Sequence, residues 1–282
     1  MLNFYQHLPE NISPWIFGQY PIPIRWYGLM YVVAFGLVYH LMLYRIKRKE
    51  VALTPALLGS IMTSGIIGVV IGARLGYVFF YNCDYYWHHP LEIVLPFNIA
   101  DGSWQYSGIS GMSFHGGLIG VFSGLLYFCR KNKIRLTSIT DALAPVVPLG
   151  YAFGRIGNFL NGELYGRLTS VPWGMYFPYA PTHHLRHPSQ LYESLFEGFI
   201  LFAILWMTRK RFFLSSGTKS IAYLVGYASA RFVIEFFREP DVQVGKFFGF
   251  VTMGQILCVA MIFAGVLWYL FLKFRTRNGF KE

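Results

Sequence analysis

The stretch GYASARFVIEFFRE carries Tyr227, Arg231, Glu235 and Arg238 at spacings of four, four and three. At about 100° per helical residue the four fall within a stripe roughly 80° wide. One helix face would then present a phenol, two guanidiniums and a carboxylate. Arg231 and Glu235 form an i,i+4 pair, and such a pair can simply lock helices together. Two arginines against one glutamate, however, leave a positive surplus on that face, which suits an anion. A second polar stretch, GRIGNFLNGELYG at 154–166, sets Arg155, Asn158, Asn161 and Glu163 among glycines. The planar fork of Arg donates two parallel hydrogen bonds to a phosphate. Glycines, Gly157 among them, let backbone come close to a ligand. The plainer alternative is a re-entrant turn whose polar groups satisfy one another. The glycines follow no strand and do not spell GxGxxG, so no dinucleotide site is read here.

These polar groups have to be held by apolar elements. The 282 residues are 55% hydrophobic and 13% charged, against about 25% charged in soluble domains. Apolar runs at 27–44, 56–81, 112–129, 139–160, 189–208, 220–237 and 248–272 each approach the roughly 20 residues of a spanning helix. The run at 139–160 contains Pro145 and Pro148, which kink or break a helix. The fold class is therefore an all-α polytopic membrane protein with seven transmembrane helices in a single integral membrane domain.

Basic residues sort by loop. Arg45, Lys47, Arg48 and Lys49 follow the first run, and Arg130, Lys131, Lys133 and Arg135 the third. Arg209, Lys210, Arg211 and Lys219 follow the fifth, and Lys273, Arg275, Arg277 and Lys281 the seventh. That is 16 of the 24 Lys and Arg, all in alternate loops. The positive-inside rule puts these loops in the cytoplasm, the N-terminus outside and the C-terminus inside. Topology thus accounts for the net charge of +11, and a nucleic-acid partner loses its basis. The loops 82–111 and 161–188 are long and aromatic, and are expected to cap the outer face. The first residues lack a basic n-region and a small-residue cleavage site, so no removed signal peptide is expected. Cys83, Cys129 and Cys258 form no CxxC and read as packing residues.

Eight basic residues fall outside those clusters: Arg25, Arg74, Arg155, Arg167, Arg186, Arg231, Arg238 and Lys246. Ionisable groups inside a span usually mark a functional path. Glu193 and Glu197, four apart on the fifth run, are candidates to balance the arginines. Tyr27 stands near the outer end of the first run. His115, at the outer end of the third, is either a hydrogen-bonded structural residue or a proton acceptor. The group His183, His184 and His187 has no Cys or carboxylate at zinc-like spacing, so no metal site is expected. The sum is an anion-binding cavity near the outer membrane face, at the depth of a phospholipid headgroup. An anion transporter, another lipid-modifying enzyme and a structural subunit share these features.

The motifs narrow the choice. GRIGNFLNGELYG resembles the signature of the prolipoprotein diacylglyceryl transferase family. RWYGLMY, GARLGYVFFY, GISGMSFHGG, DALAPVVPLG, RHPSQLYES and RFVIEFFREPD follow in the order of that family, over nearly the whole chain. The resemblance implies a monomeric, multi-pass enzyme of the bacterial cytoplasmic (inner) membrane. It would transfer the diacylglyceryl group of phosphatidylglycerol, a membrane lipid, to the lipobox cysteine of a preprolipoprotein. A thioether forms and glycerol phosphate leaves, with no metal or cofactor. The resemblance implies Arg155 and Arg231 as the essential arginines and His115 as the candidate base. It places Tyr27, Gly157, Asn158, Glu163, Tyr227, Glu235, Arg238 and Asp141 around the substrate, although Asp141, among prolines, equally suits a structural role.

Overall fold

The computed structural model describes residues 2–17, 24–95, 97–98, 105–106, 111–210, 216–239, 246–247 and 251–277. Arg211, Lys281, the stretches 99–104 and 107–110 of the expected outer loop, and residues 248–250 of the expected last span lie outside them. Among the described residues the main helices are α1 Trp26–Lys47, α2 Pro55–Tyr81, α3 Phe114–Lys131, α4 Leu136–Leu143, α5 Val147–Leu160, α6 Ser189–Thr208, α7 Thr218–Ile234 and α8 Met253–Arg277. Two small antiparallel hairpins interrupt the loops. One pairs β1 Phe97–Asn98 with β2 Gln105–Tyr106, the other β3 Lys246–Phe247 with β4 Val251–Thr252.

α1, α2, α6 and α8 are long and apolar enough to cross a membrane. α4 and α5, bent by 58° at their junction, make a fifth candidate if they count as one broken span. The bend has a covalent cause: Pro145 and Pro148 lack the amide N–H that a continuous helix needs. Pro148 lies in the first turn of α5, where that loss is tolerated. Large apolar side chains on these helices, such as Ile67, Phe80, Met207 and Phe263, point away from the protein. That pattern is inverted for water and correct for lipid, so the chain is a polytopic membrane protein. α7 has only 17 residues and carries Lys219 and Arg231. In α3, His115, four glycines and the terminal Arg130 and Lys131 dilute the apolar run.

The chain forms two compact units, Met1–Glu50 with Thr140–Glu282, and Val51–Ile139. In the second, α2 and α3 meet along Gly68, Gly72 and Gly76 on one side and Gly116, Gly120 and Gly124 on the other. A Cβ on Gly72 would lie 2.7 Å from the Gly120 Cα, and one on Gly76 2.7 Å from the Gly116 Cα. The helix backbones therefore touch, as small-xxx-small spacing allows in lipid. Arg74 turns outward from α2. It donates to the carbonyls of Ile93 at 2.8 Å, Glu92 at 2.5 Å and Gly111 at 3.3 Å, and stacks over Tyr86. One guanidinium thus satisfies backbone that has left regular structure.

In the first unit, α1 packs on α5, where a Cβ on Gly157 would meet Met30 and Tyr27 at 3.2 and 3.3 Å. α6 packs on the other side of α5, with Gly198 against Ala152 and Ser194 donating to the Ala152 carbonyl at 3.0 Å. At the basic ends of these helices Glu50 gathers Arg45 (3.4 Å), Arg209 (2.9 Å) and Lys210 (2.9 Å). Arg45 is fully buried and also donates to the Ala142 carbonyl. Three of the residues counted for topology therefore also tie α1, α4 and α6 together.

Two stability effects follow. Gly120→Val should lower the thermal midpoint in detergent by several degrees, since overpacking costs about 1–3 kcal/mol; Gly59→Ala, which meets nothing within 4 Å, should not lower it, because Ala is favoured over Gly inside a helix. Burial alone would raise the pKa of Glu50, but Arg209 and Lys210 outweigh it and hold it at about 2. A depressed carboxylate stabilises the fold above its unfolded pKa of about 4.3 and loses that contribution as pH falls towards 2. The difference in thermal midpoint between wild type and Glu50→Gln should therefore be full at neutral pH and shrink as pH is lowered from 5 towards about 3.

Candidate functional site

The buried charges of the first unit converge on one residue. Glu193, in the first turns of α6, has no exposed surface. Its Oε2 lies 2.7 Å from Arg155 Nε, and its Oε1 accepts from Arg231 Nη1 at 2.7 Å. Arg238 Nε stands 3.7 Å from the same Oε1. Arg231 also reaches Glu235 Oε2 at 3.1 Å, its i,i+4 neighbour, and Glu197 Oε1 at 3.7 Å. Three helices, α5, α6 and α7, are thus joined by arginines meeting glutamates. An unpaired charge at this depth would cost several kcal/mol, which is why each of these charges faces one of opposite sign.

The surplus of positive charge inferred from α7 alone is not present. Arg155, Arg231 and Arg238 face Glu193, Glu197 and Glu235, three against three. Counting along one helix misses the carboxylates that a neighbouring helix brings. Neutrality still leaves donors available. Arg155 Nε points at Tyr151 Oη at 2.8 Å, and Nη1 donates to Asn158 Oδ1 at 3.3 Å. Arg155 Nη2 has no hydrogen-bond partner among the described residues, and 19% of the side chain is exposed. An anion could therefore approach it directly.

Tyr151 is the member of this network that the sequence reading missed. Its Oη donates to Glu197 Oε2 at 2.5 Å while accepting from Arg155, so it couples α5 to α6. Its ring meets Tyr227 edge-on at 5.6 Å. Tyr151 precedes Arg155 by one helical turn, the same spacing as Tyr227 and Arg231 on α7; that repeated Tyr-x-x-x-Arg spacing was the available signal. Residues 194–200 of α6 form a π-helical segment, a feature common at functional sites. It begins directly after Glu193 and carries Glu197.

The GRIGNFLNGELYG stretch folds as the last turns of α5 followed by a tight reversal. Asn158 Nδ2 donates to Glu163 Oε1 at 2.9 Å, and Asn161 Nδ2 reaches the same oxygen at 3.5 Å. Gly162 has φ +70°, a conformation that favours glycine. Gln190 and Ser189, at the start of α6, bond the carbonyls of Glu163 and Leu164. Arg167 donates to the carbonyls of Arg238 and Glu235, and buried Arg186 bonds Gly166 and Glu239. These two leftover arginines staple the 161–188 loop to the end of α7. Tyr27, at the start of α1, donates to Tyr31 at 3.0 Å and lies within electrostatic reach of Arg155 and Glu163. Gly157 is occupied in letting α1 approach α5.

One expected site residue of this unit stands apart from the network. Asp141 accepts from the Gly217 and Ser220 amides at 2.6 and 2.8 Å and from the Ser220 hydroxyl. It caps the N-terminus of α7 from another helix. Arg231 is 11 residues further along α7, about 16 Å at 1.5 Å per residue. His115 is exposed on the first turn of α3, in the other unit. Removing Glu193 should take a shared carboxylate from three guanidiniums. Glu193→Ala is expected to destabilise the protein by about 3–5 kcal/mol, read as a fall in the thermal midpoint. Tyr151→Phe should cost less, about 1–3 kcal/mol.

Comparison with known proteins gives one consistent result. A family model described as "Prolipoprotein diacylglyceryl transferase" matches residues 14–271. The chain is 50% identical over 276 residues to a phosphatidylglycerol–prolipoprotein diacylglyceryl transferase of Chlorobaculum tepidum, covering 98% of this chain and 95% of that protein. It is 45% identical to a protein of the same name from Bordetella avium, over 91% and 93% of the two chains. A Vibrio cholerae protein, again of that name, is 44% identical over 91% and 90%.

Proposed function

Because this chain belongs to the prolipoprotein diacylglyceryl transferase family, we propose that it moves the diacylglyceryl group of phosphatidylglycerol onto the lipobox cysteine of a preprolipoprotein. It does so as a monomer in the bacterial cytoplasmic membrane, with seven spans, the N-terminus outside and the C-terminus inside. The grouping of 16 of 24 basic residues in alternate loops supports that topology.

The chemistry is a displacement at carbon. The cysteine sulfur attacks the glyceryl carbon that carries the phosphate ester. A C–S bond forms, the C–O bond breaks, and the electron pair leaves with glycerol phosphate. The thiol proton goes to a base or to water. Negative charge grows on the departing phosphate, so the barrier falls if donors are already aimed there. The observation that carries the reading is a pair of guanidiniums, Arg155 and Arg231, held through one fully buried carboxylate. Fixed by Glu193 and Tyr151, they need no reorganisation when the phosphate departs. Asn158 and Glu163 shape the headgroup site beside them, while Tyr27, Gly157 and Tyr227 line it. Glu235 and Arg238 hold Arg231. A thiol is only slightly ionised near neutral pH, and His115 is the candidate to take its proton. Asp141 acts from a distance by capping the helix that bears Arg231.

The matched charges also suit a second reading, in which the pairs only lock helices. Lysine at position 155 keeps the charge and loses the fork. Full-length protein in detergent, given phosphatidylglycerol and a lipobox peptide, should add a diacylglyceryl mass to the Cys peptide and none to its Ser counterpart. Arg155→Lys should fold with a similar thermal midpoint and lose roughly 10²–10³ in rate. Retained activity in Arg155→Lys would favour the structural lock.

A further inference from the structure

The histidine group that the sequence offered without a carboxylate finds one in the fold. His183 does not converge with His184 and His187; the ring of His187 turns instead to Tyr192 and Phe237. The carboxylate beside His183 comes from Glu10, 173 residues upstream. Its Nε2 lies 2.9 Å from Glu10 Oε1, while the other oxygen of Glu10 lies 2.7 Å from His7 Nδ1. The three ligand atoms, His7 Nδ1, one Glu10 oxygen and His183 Nε2, lie within 4.8 Å of one another. We propose that His7, Glu10 and His183 form a site for a divalent cation of zinc type, which clamps the N-terminal helical turns to the 161–188 loop.

The donor set is the first argument. Two imidazoles and a carboxylate are ligands that zinc accepts, leaving a fourth position for water. Two nitrogens at about 2.0–2.1 Å from zinc stand roughly 3.3 Å apart in a tetrahedron, so ligand atoms within 4.8 Å of one another would draw together on binding the ion. Rigidity is the second. The rings of His7 and His183 both stack on Tyr176, with centroids 4.5 Å from it and interplanar angles of 16° and 14°, and stand 6.0 Å from each other. The Tyr176 amide donates to the Gln6 carbonyl at 2.8 Å, and Gln6 Nε2 to the Pro172 carbonyl at 3.2 Å. Both imidazoles are therefore oriented by contacts outside the ligand set, as metal-binding histidines require. Access is the third: the His183 side chain is 67% exposed, so a cation can enter and keep a water.

The test uses the full chain in detergent, purified without a histidine tag and stripped with a chelator. Titration with Zn²⁺ by calorimetry should show about one tight equivalent, and Co²⁺ should give the visible absorption of a four-coordinate ion. Glu10→Gln and His183→Ala should each weaken the tight equivalent more than tenfold, and His184→Ala should leave it intact. Zn²⁺ should also raise the thermal midpoint of wild type and not of Glu10→Gln. All three variants lie outside the arginine–glutamate cluster, so their transferase activity reports that they are folded. Equal binding in wild type, Glu10→Gln and His183→Ala would overturn the site, as would the lack of a tight equivalent in wild type. Neither result bears on the transferase reading, which is tested by the peptide product.

Discussion

Glu193 is the constraint around which the first unit is arranged. A carboxylate with no exposed surface is tolerable in an apolar layer only if cations surround it. Arg155 and Arg231 reach it from α5 and α7 at 2.7 Å each, and those two helices can do so only if α6 runs between them. The close approaches that make this possible are set by small residues. Gly198 on Ala152 lets α6 settle on α5, and Gly157 lets α1 settle on α5's other side. Packing therefore serves electrostatics here more than the reverse. In lipid the apolar contacts alone give little preference for one helix partner over another.

The same arrangement explains how the two proposed catalytic arginines can be both neutralised and reactive. A guanidinium has five donors, and pairing with a carboxylate consumes only some of them. Glu193, Tyr151 and Asn158 occupy Nε and Nη1 of Arg155. Pairing thus fixes direction while leaving part of the fork for a ligand. A lysine in the same place would spend its one charge centre on Glu193.

Much of this was legible beforehand, for physical reasons. The stripe Tyr227, Arg231, Glu235 and Arg238 follows from helical periodicity, and Glu193 and Glu197 stand out as carboxylates in an apolar run. Pro145 and Pro148 announce a break, and the bend between α4 and α5 falls there. What stayed hidden depends on contacts distant in sequence. The three-to-three charge balance needs α6 and α7 side by side. Asp141 capping α7 joins residues 76 apart, and the meeting of Glu10 with His183 joins the two stretches of chain that make up the first unit. The glycine rows of α2 and α3 are visible as letters, but hydropathy treats them as dilution of an apolar run when they are in fact its contact surface.

The π-helical segment at 194–200 has a consequence for how α6 can vary. A wider turn absorbs about one residue more than an α-helical path of the same rise. It therefore sets the angular phase between two halves of one rod. Glu193 belongs to the half before it, Leu205 and the Arg209 that grips Glu50 to the half after. Tightening it to a uniform α-helix with every residue kept, or losing a residue from the α-helical turns on either side, would swing the far half by about 100°. Either the buried carboxylate or the basic-end clamp would then face the wrong neighbour. The length of this helix is thus fixed by rotation as well as by membrane thickness, and a lineage could lengthen or shorten its loops far more freely than this one span.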